Sequence, residues 1–252
     1  MSVRDAALLA VGTLTRIPVP APATVDPPTA RLAMAFAPLA VLPLGVAVTL
    51  TLGATQLLDV HPVVRGLLAV ALLAFGTRML HLDGLSDTVD GLTASTDPER
   101  SLAVMRSGTA GPAGVVTLSV VVTAQAIGFA SLSEHWWSAA LAGLAVCWSR
   151  LALGAACLRG VPAARPDGLG AAVAGTVPLA LFAPVALLLT AAWWWVAREA
   201  GTGWAGCVAP VAAGAALVVA LGSCVRRLGG ITGDVLGAAV ELALVVLLVS
   251  VA

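Results

Sequence analysis

Seven stretches of the chain, roughly 33–57, 62–81, 113–131, 136–157, 176–197, 204–225 and 235–252, are apolar runs, each close to the ~20 residues a helix needs to cross a bilayer. In hydrocarbon every backbone N–H and C=O must be satisfied within the protein, and a helix does this inside one segment. The expected fold is therefore an all-α, polytopic membrane helical bundle of about seven transmembrane helices, with six to eight open, in one domain over residues 1–252. Composition agrees: 60% of residues are hydrophobic and 10% charged, the mean hydropathy is +1.01, and there is neither Lys nor Tyr. Net charge is zero, so no basic surface recommends nucleic acid. The lipid bilayer is the expected surrounding, and a homo-oligomer is left open.

Ahead of the first run, residues 6–14 form a short apolar segment leading into Arg16-Ile17-Pro18-Val19-Pro20 without a small-residue cleavage site. A helix on the membrane surface is expected there, then a Pro-rich loop to about Thr29. Cys147, Cys157, Cys207 and Cys224 lack metal-type spacing and read as ordinary buried residues. Arg150 and Glu241 fall inside apolar runs and should face the bundle interior, because a charge facing lipid is costly. Trp136-Trp137 and Trp193-Trp194-Trp195 suit interface anchoring.

Arginines set the orientation. Arg4, Arg16 and Arg31 precede the first run, Arg100 and Arg106 follow the second, Arg159 and Arg165 the fourth, and Arg226 and Arg227 the sixth, against Arg65 and Arg198 on the other side. By the positive-inside rule the former face the cytoplasm. On that same face lie His81-Leu82-Asp83-Gly84-Leu85-Ser86-Asp87-Thr88-Val89-Asp90-Gly91-Leu92, the Gly-rich segment 108–114, the loop 165–170 and the loop 229–234.

Within the His81–Leu92 stretch, helical geometry puts Asp83, Asp87 and Asp90 on one face within about 60°. No Arg lies in the stretch to neutralise them, so a divalent metal is the natural partner, and oxygen-only ligands favour Mg²⁺, Mn²⁺ or Ca²⁺. Asp234, at the entry of the last run, is either a helix cap or a further oxygen ligand; beside three unpaired acids the ligand reading is preferred. Gly108, Gly111 and Gly114 suit close helix packing or approach to a phosphate. His81 lies about 160° from the acids and reads as structural, with a contact to substrate phosphate as the alternative. Acids, Arg and Gly-rich loops together suit a metal-bound pyrophosphate: metal bridges phosphate oxygens, Arg grips them, and a carboxylate takes a proton from an attacking hydroxyl.

The chain resembles the cobalamin synthase family, adenosylcobinamide-GDP ribazoletransferases, nearly end to end. The resemblance is carried by Thr15 to Pro20, His81 to Leu92, Met105-Arg106, Ala164-Arg165 with Gly168-Leu169-Gly170, and Gly229 to Leu242. It implies a Mg²⁺-requiring, multi-pass inner-membrane enzyme that joins α-ribazole, or its 5′-phosphate, to adenosylcobinamide-GDP, giving adenosylcobalamin or its phosphate and releasing GMP. Asp83, Asp87, Asp90 and Asp234 are then expected as metal ligands, and Asp90 alternatively as the base for the ribose 3′-hydroxyl. His81, Arg106, Arg165, Arg226 and Arg227 are expected at substrate phosphates. In one place the chain departs from the family's pattern: an Asp and an Arg usual after the Met-Arg pair are here Ser107 and Thr109, which leaves a degenerate homologue open. A lipid enzyme of the CDP-alcohol phosphotransferase kind would release CMP instead. A transporter would place its acids at the bilayer midplane, which is not the pattern here.

Overall fold

A computed structural model describes residues 2–252, and the regular secondary structure of the described part is helical, with two isolated β-bridges in the connecting segments. In chain order the helices are α1 (Val3–Leu14), α2 (Pro27–Ala35), α3 (Ala37–Ala40), α4 (Leu42–Leu57), α5 (Pro62–Gly76), α6 (Leu80–Ala94), α7 (Pro98–Arg106), α8 (Pro112–Ser131), α9 (Trp136–Ser149), α10 (Leu151–Ala156), α11 (Gly168–Val173), α12 (Leu179–Glu199), α13 (Gly203–Leu228) and α14 (Gly233–Val251). Five units are long and apolar enough to cross a membrane: α8, α9 with α10, α12, α13 and α14; α5 with α6 makes a sixth if that bent pair is one span. The chain is an all-α, multi-pass membrane bundle, with two of the seven expected runs built differently from straight spans.

Both differences have local causes. The run 33–57 breaks at Phe36 and Val41, where Pro38 and Pro43 start new helices, since Pro removes an N–H and suits a helix's first turn. What remains, α4, is a 16-residue apolar helix. The run 62–81 stops at Gly76, and α6 leaves α5 at 89°. Arg78 and Met79, with φ of 56° and 59°, make that corner in the left-handed region, which costs a non-Gly residue about 1–2 kcal/mol. The Arg78 Nη2 donates to the carbonyls of Gly12 (2.7 Å) and Thr13 (3.0 Å), and the Arg16 N–H to the Gly76 carbonyl (2.7 Å). The corner is thereby tied to the end of α1, whose last carbonyls gain donors.

The paired α9–α10 unit is the centre of the bundle, while α12 and α13 are peripheral and expose Leu187, Leu188, Val218 and Val219 to lipid. Arg150 and Glu241 are buried as expected: Arg150 Nη1 donates to the Val146 carbonyl and the Ser149 hydroxyl, and the Gln125 amide donates to Glu241 at 2.6 Å. Trp136, Trp137, Trp194 and Trp195 are exposed, but Trp193 is fully buried and its indole N–H donates to the Gly206 carbonyl, joining α12 to α13. Three of the four cysteines are buried and Cys207 is exposed; all are free. Residues after α1 return along it, where the Asp5 carboxylate accepts from the Ala23 N–H and the Thr24 hydroxyl.

Candidate active site

The acids are brought together by contact between α6 and α14 at glycines. A methyl group at Gly84 would lie 2.7 Å from the Asp234 carbonyl oxygen, and one at Gly237 would lie 3.1 Å from the His81 Cα and 3.3 Å from the Gly84 Cα. Only Gly permits this approach of two helix backbones, whose packing in a membrane rests on van der Waals contact and not on apolar burial. In consequence Asp83 and Asp87 on α6 stand beside Asp234 in the first turn of α14. Thr232 caps α14, its hydroxyl accepting from the Val235 N–H and lying 3.2 Å from Asp234 Oδ2. The cap is therefore Thr232, and the Asp234 carboxylate is free for other work.

A second junction supplies the cation. The segment after α10 pairs with the segment before α14: the Ala164 N–H donates to the Ile231 carbonyl and the Ile231 N–H to the Pro162 carbonyl, both at 2.9 Å. This pairing sets Arg165 Nη2 at 3.9 Å from Asp234 Oδ2, while the same nitrogen donates to the Leu102 carbonyl. Arg165 Nε is buried without a partner among the described residues, so part of the guanidinium's donor capacity is unused. Asp83, Asp234, Arg165, Asp167 and His81 line one cavity of about 330 Å³, closed on its other sides by Leu14 and Met34 from α1 and α2 and by Leu153 of α10.

Asp90 stands apart from this group. Buried, it accepts from the backbone N–H groups of Gly111 (2.7 Å) and Gly114 (2.8 Å), one with each carboxylate oxygen. It thus serves as the anion at the N-terminus of α8, where the helix dipole and free N–H groups favour negative charge. A side chain at Gly111 or Gly114 would collide with the Asp90 carboxylate. The Gly-rich segment therefore packs against α6, and the anion it binds is Asp90 and not a phosphate.

The remaining expected residues divide. Arg106 pairs with Asp167 at 2.7 Å, both side chains more than half exposed, at the rim of the cavity. Arg227 Nη2 donates to the carbonyls of Leu92 (3.0 Å) and Ser95 (2.9 Å), holding the C-terminal end of α6. Arg226 is exposed at the end of α13. His81 lines the cavity, is 2% exposed, and neither ring nitrogen has a partner among the described residues. Asp167 and the α1 residues Thr13 and Leu14 were not singled out in the sequence; the signal for Asp167 was its place in Arg165-Pro166-Asp167-Gly168, while nothing local marks α1 as a wall.

The donor set also bears on a metal. The charges acting on Asp87 are those of Asp83, Asp234 and Asp90, and the cation opposing them is Arg165. Asp83 is exposed and Asp87 and Asp234 are half-buried, so a hard cation can reach three repelling carboxylate groups. No group of three or more acid, His or Cys side chains among the described residues closes round a metal by itself.

A family model described as cobalamin-5-phosphate synthase matches residues 6–252. The chain belongs to this family. Among its relatives, a protein of Nocardioides sp. named adenosylcobinamide-GDP ribazoletransferase is 52% identical over 96% of this chain and 95% of its own. Proteins of the same name from Frankia casuarinae and Stutzerimonas stutzeri are 37% and 34% identical, over 91% and 97% of this chain and 87% and 96% of their own. No solved structure matches the chain. The family match runs through both junctions that build the site, at 81–92 with 229–237 and at 162–165 with 229–232.

Proposed function

We infer that this membrane protein is an adenosylcobinamide-GDP ribazoletransferase, catalysing a final step of cobalamin synthesis: α-ribazole or its 5′-phosphate displaces GMP from adenosylcobinamide-GDP. The observation that carries the chemistry is the meeting of Asp83 and Asp234 beside Arg165 in one cavity, with Asp87 close enough to feel both carboxylates. Mg²⁺, held by one or two of Asp83, Asp87 and Asp234 together with substrate phosphate, would when bound neutralise pyrophosphate oxygens and the departing GMP.

The chain's own residues supply the rest. Arg165, the cation lining the cavity beside Asp234, grips a nonbridging phosphate oxygen, and Arg106 and Arg226 lie where a phosphate would enter or leave. The ribose 3′-hydroxyl of α-ribazole attacks the phosphorus attached to cobinamide, the bond to GMP breaks, and the hydroxyl proton passes to a carboxylate of the open face, Asp83 or Asp87. Asp90 and Arg227 position α6: one joins its middle to α8, the other holds its end to α13. We place the acid-lined face toward the cytoplasm of the cell inner membrane, on the Arg distribution.

The test is GMP release by the purified full-length protein in liposomes, given adenosylcobinamide-GDP and α-ribazole with and without Mg²⁺, beside Asp87→Asn. Metal-dependent release that the variant loses supports the reading and means that Ser107 and Thr109 are tolerated. Absence of GMP from folded protein defeats it.

A further inference from the structure

Next to the acid-lined cavity lies a second, more open one of about 490 Å³, lined by Glu99, Leu102, Ala103 and Arg106 of α7 and by Ala164, Arg165 and Pro166. Arg165 lines both. The two ion pairs found among the described residues stand at the boundary: Arg106 of the second cavity meets Asp167 of the first at 2.7 Å, and Arg165 meets Asp234 of the first at 3.9 Å. A pyrophosphate laid across that boundary has the acids, and a metal they hold, on one side and two arginines on the other. Arg106 and Asp167 are both more than half exposed, and exposed pairs of this kind contribute little, so a phosphate can take the place of Asp167 on Arg106.

Resting on the function proposed above, we propose that the second cavity is the guanosine subsite of the nucleotide donor, with Arg106 and Arg165 on the phosphate that leaves as GMP and Glu99 reading the base. Glu99, Leu102, Ala103 and Arg106 stand at i, i+3, i+4 and i+7, on one face of α7, and the helix rise sets Glu99 about 10 Å from Arg106 along the axis. That is close to the length of a nucleotide from its phosphate to the far edge of its base. Leu102, Ala103, Ala164 and Pro166 supply apolar surface for the ring. Glu99 is exposed, and its carboxylate has no ion-pair partner among the described residues. An ionised carboxylate only accepts, through two oxygens side by side. Guanine presents two neighbouring donors, N1–H and the 2-amino group, and so matches it twice with charge assistance. Cytosine offers one donor beside an acceptor nitrogen, and the benzimidazole of α-ribazole offers none. The one carboxylate in this cavity therefore selects guanine.

Calorimetric titration of the purified full-length protein in detergent with GMP, and with IMP, which lacks the 2-amino group, reads this subsite without turnover. The wild-type protein should bind GMP at least about tenfold more tightly than IMP, the difference one charge-assisted hydrogen bond makes. Glu99→Ala, a change at an exposed position, should abolish that difference. Arg106→Gln should weaken GMP and IMP alike and keep the difference between them. α-Ribazole should not displace GMP. Equal affinity of the wild-type protein for GMP and IMP, a difference that survives Glu99→Ala, or displacement of GMP by α-ribazole overturns the assignment, while GMP release from adenosylcobinamide-GDP by the wild-type protein leaves the enzymatic reading intact. Absence of that release overturns both.

Discussion

Asp83, Asp87 and Asp90 share one helix face by spacing, yet they do different work because of what lies across from each. Asp90 meets the α8 N-terminus and is satisfied; Asp87 feels the carboxylates of Asp83, Asp234 and Asp90 and is not. Opposite responses to the same change follow. Asp90→Asn removes a charge-assisted acceptor from two backbone donors and should cost roughly 1–3 kcal/mol, read as a lower thermal unfolding midpoint in detergent. Asp87→Asn relieves repulsion and should leave stability in chelator unchanged or raised by a few tenths of a kcal/mol, while lowering Mg²⁺-dependent GMP release by at least about a hundredfold. A drop in stability of similar size for both would mean that Asp87 is a packing residue. The sequence revealed the shared face but not this division, because the partners of Asp90 lie 21 and 24 residues away on another helix. Arg227 is a like case: its charge was legible, and its use in capping α6 depends on a contact 132 residues distant.

Among the helices, glycine spacing proved more informative than hydropathy. Apolar runs marked most spans correctly, but the run 62–81 concealed a corner, since Arg78 and Met79 carry no Gly, Asn or Pro to announce a turn. The corner matters: a straight continuation of α5 would carry Asp83 away along the bundle axis, whereas the 89° bend lays α6 against α14. Gly84 was legible as a place where another helix could come close, and α14 fills it. Gly84→Ala would put a methyl group against the Asp234 backbone and force α6 and α14 apart by a few tenths of an ångström or more. The expected result is a Mg²⁺ requirement shifted to about tenfold higher concentration, with a stability loss of roughly 1–3 kcal/mol. A titration of activity against Mg²⁺, run below the variant's unfolding temperature, separates the two effects; an unchanged Mg²⁺ midpoint would show that Asp234 is not a ligand.

Across the whole molecule, the arginines sort into those the fold consumes and those the bilayer orders. Arg65, which stood among the few on the face away from the acids, is buried; its Nε donates to the Val60 carbonyl and its Nη1 to the Ser133 carbonyl at 2.8 Å. Its position is therefore explained by closing the loops at that end, and Arg198 alone remains there as an exposed cation. At the acid-lined end Arg4, Arg100, Arg106 and Arg226 are exposed, so removing the fold-bound residues from the count strengthens the bias that sets orientation. In a Cys207→Ala background the three remaining thiols are buried, which leaves a silent surface for reporters. Ser107→Cys, beside the acid-lined end, should react with a membrane-impermeant maleimide in inside-out vesicles and not in intact spheroplasts. Glu134→Cys, in the loop held near Arg65, should behave oppositely. The reverse pattern would put the acids outside the cell, where neither nucleotide donor nor corrin intermediate is supplied, and the proposed reaction would lose its setting even if every contact in the cavity were right.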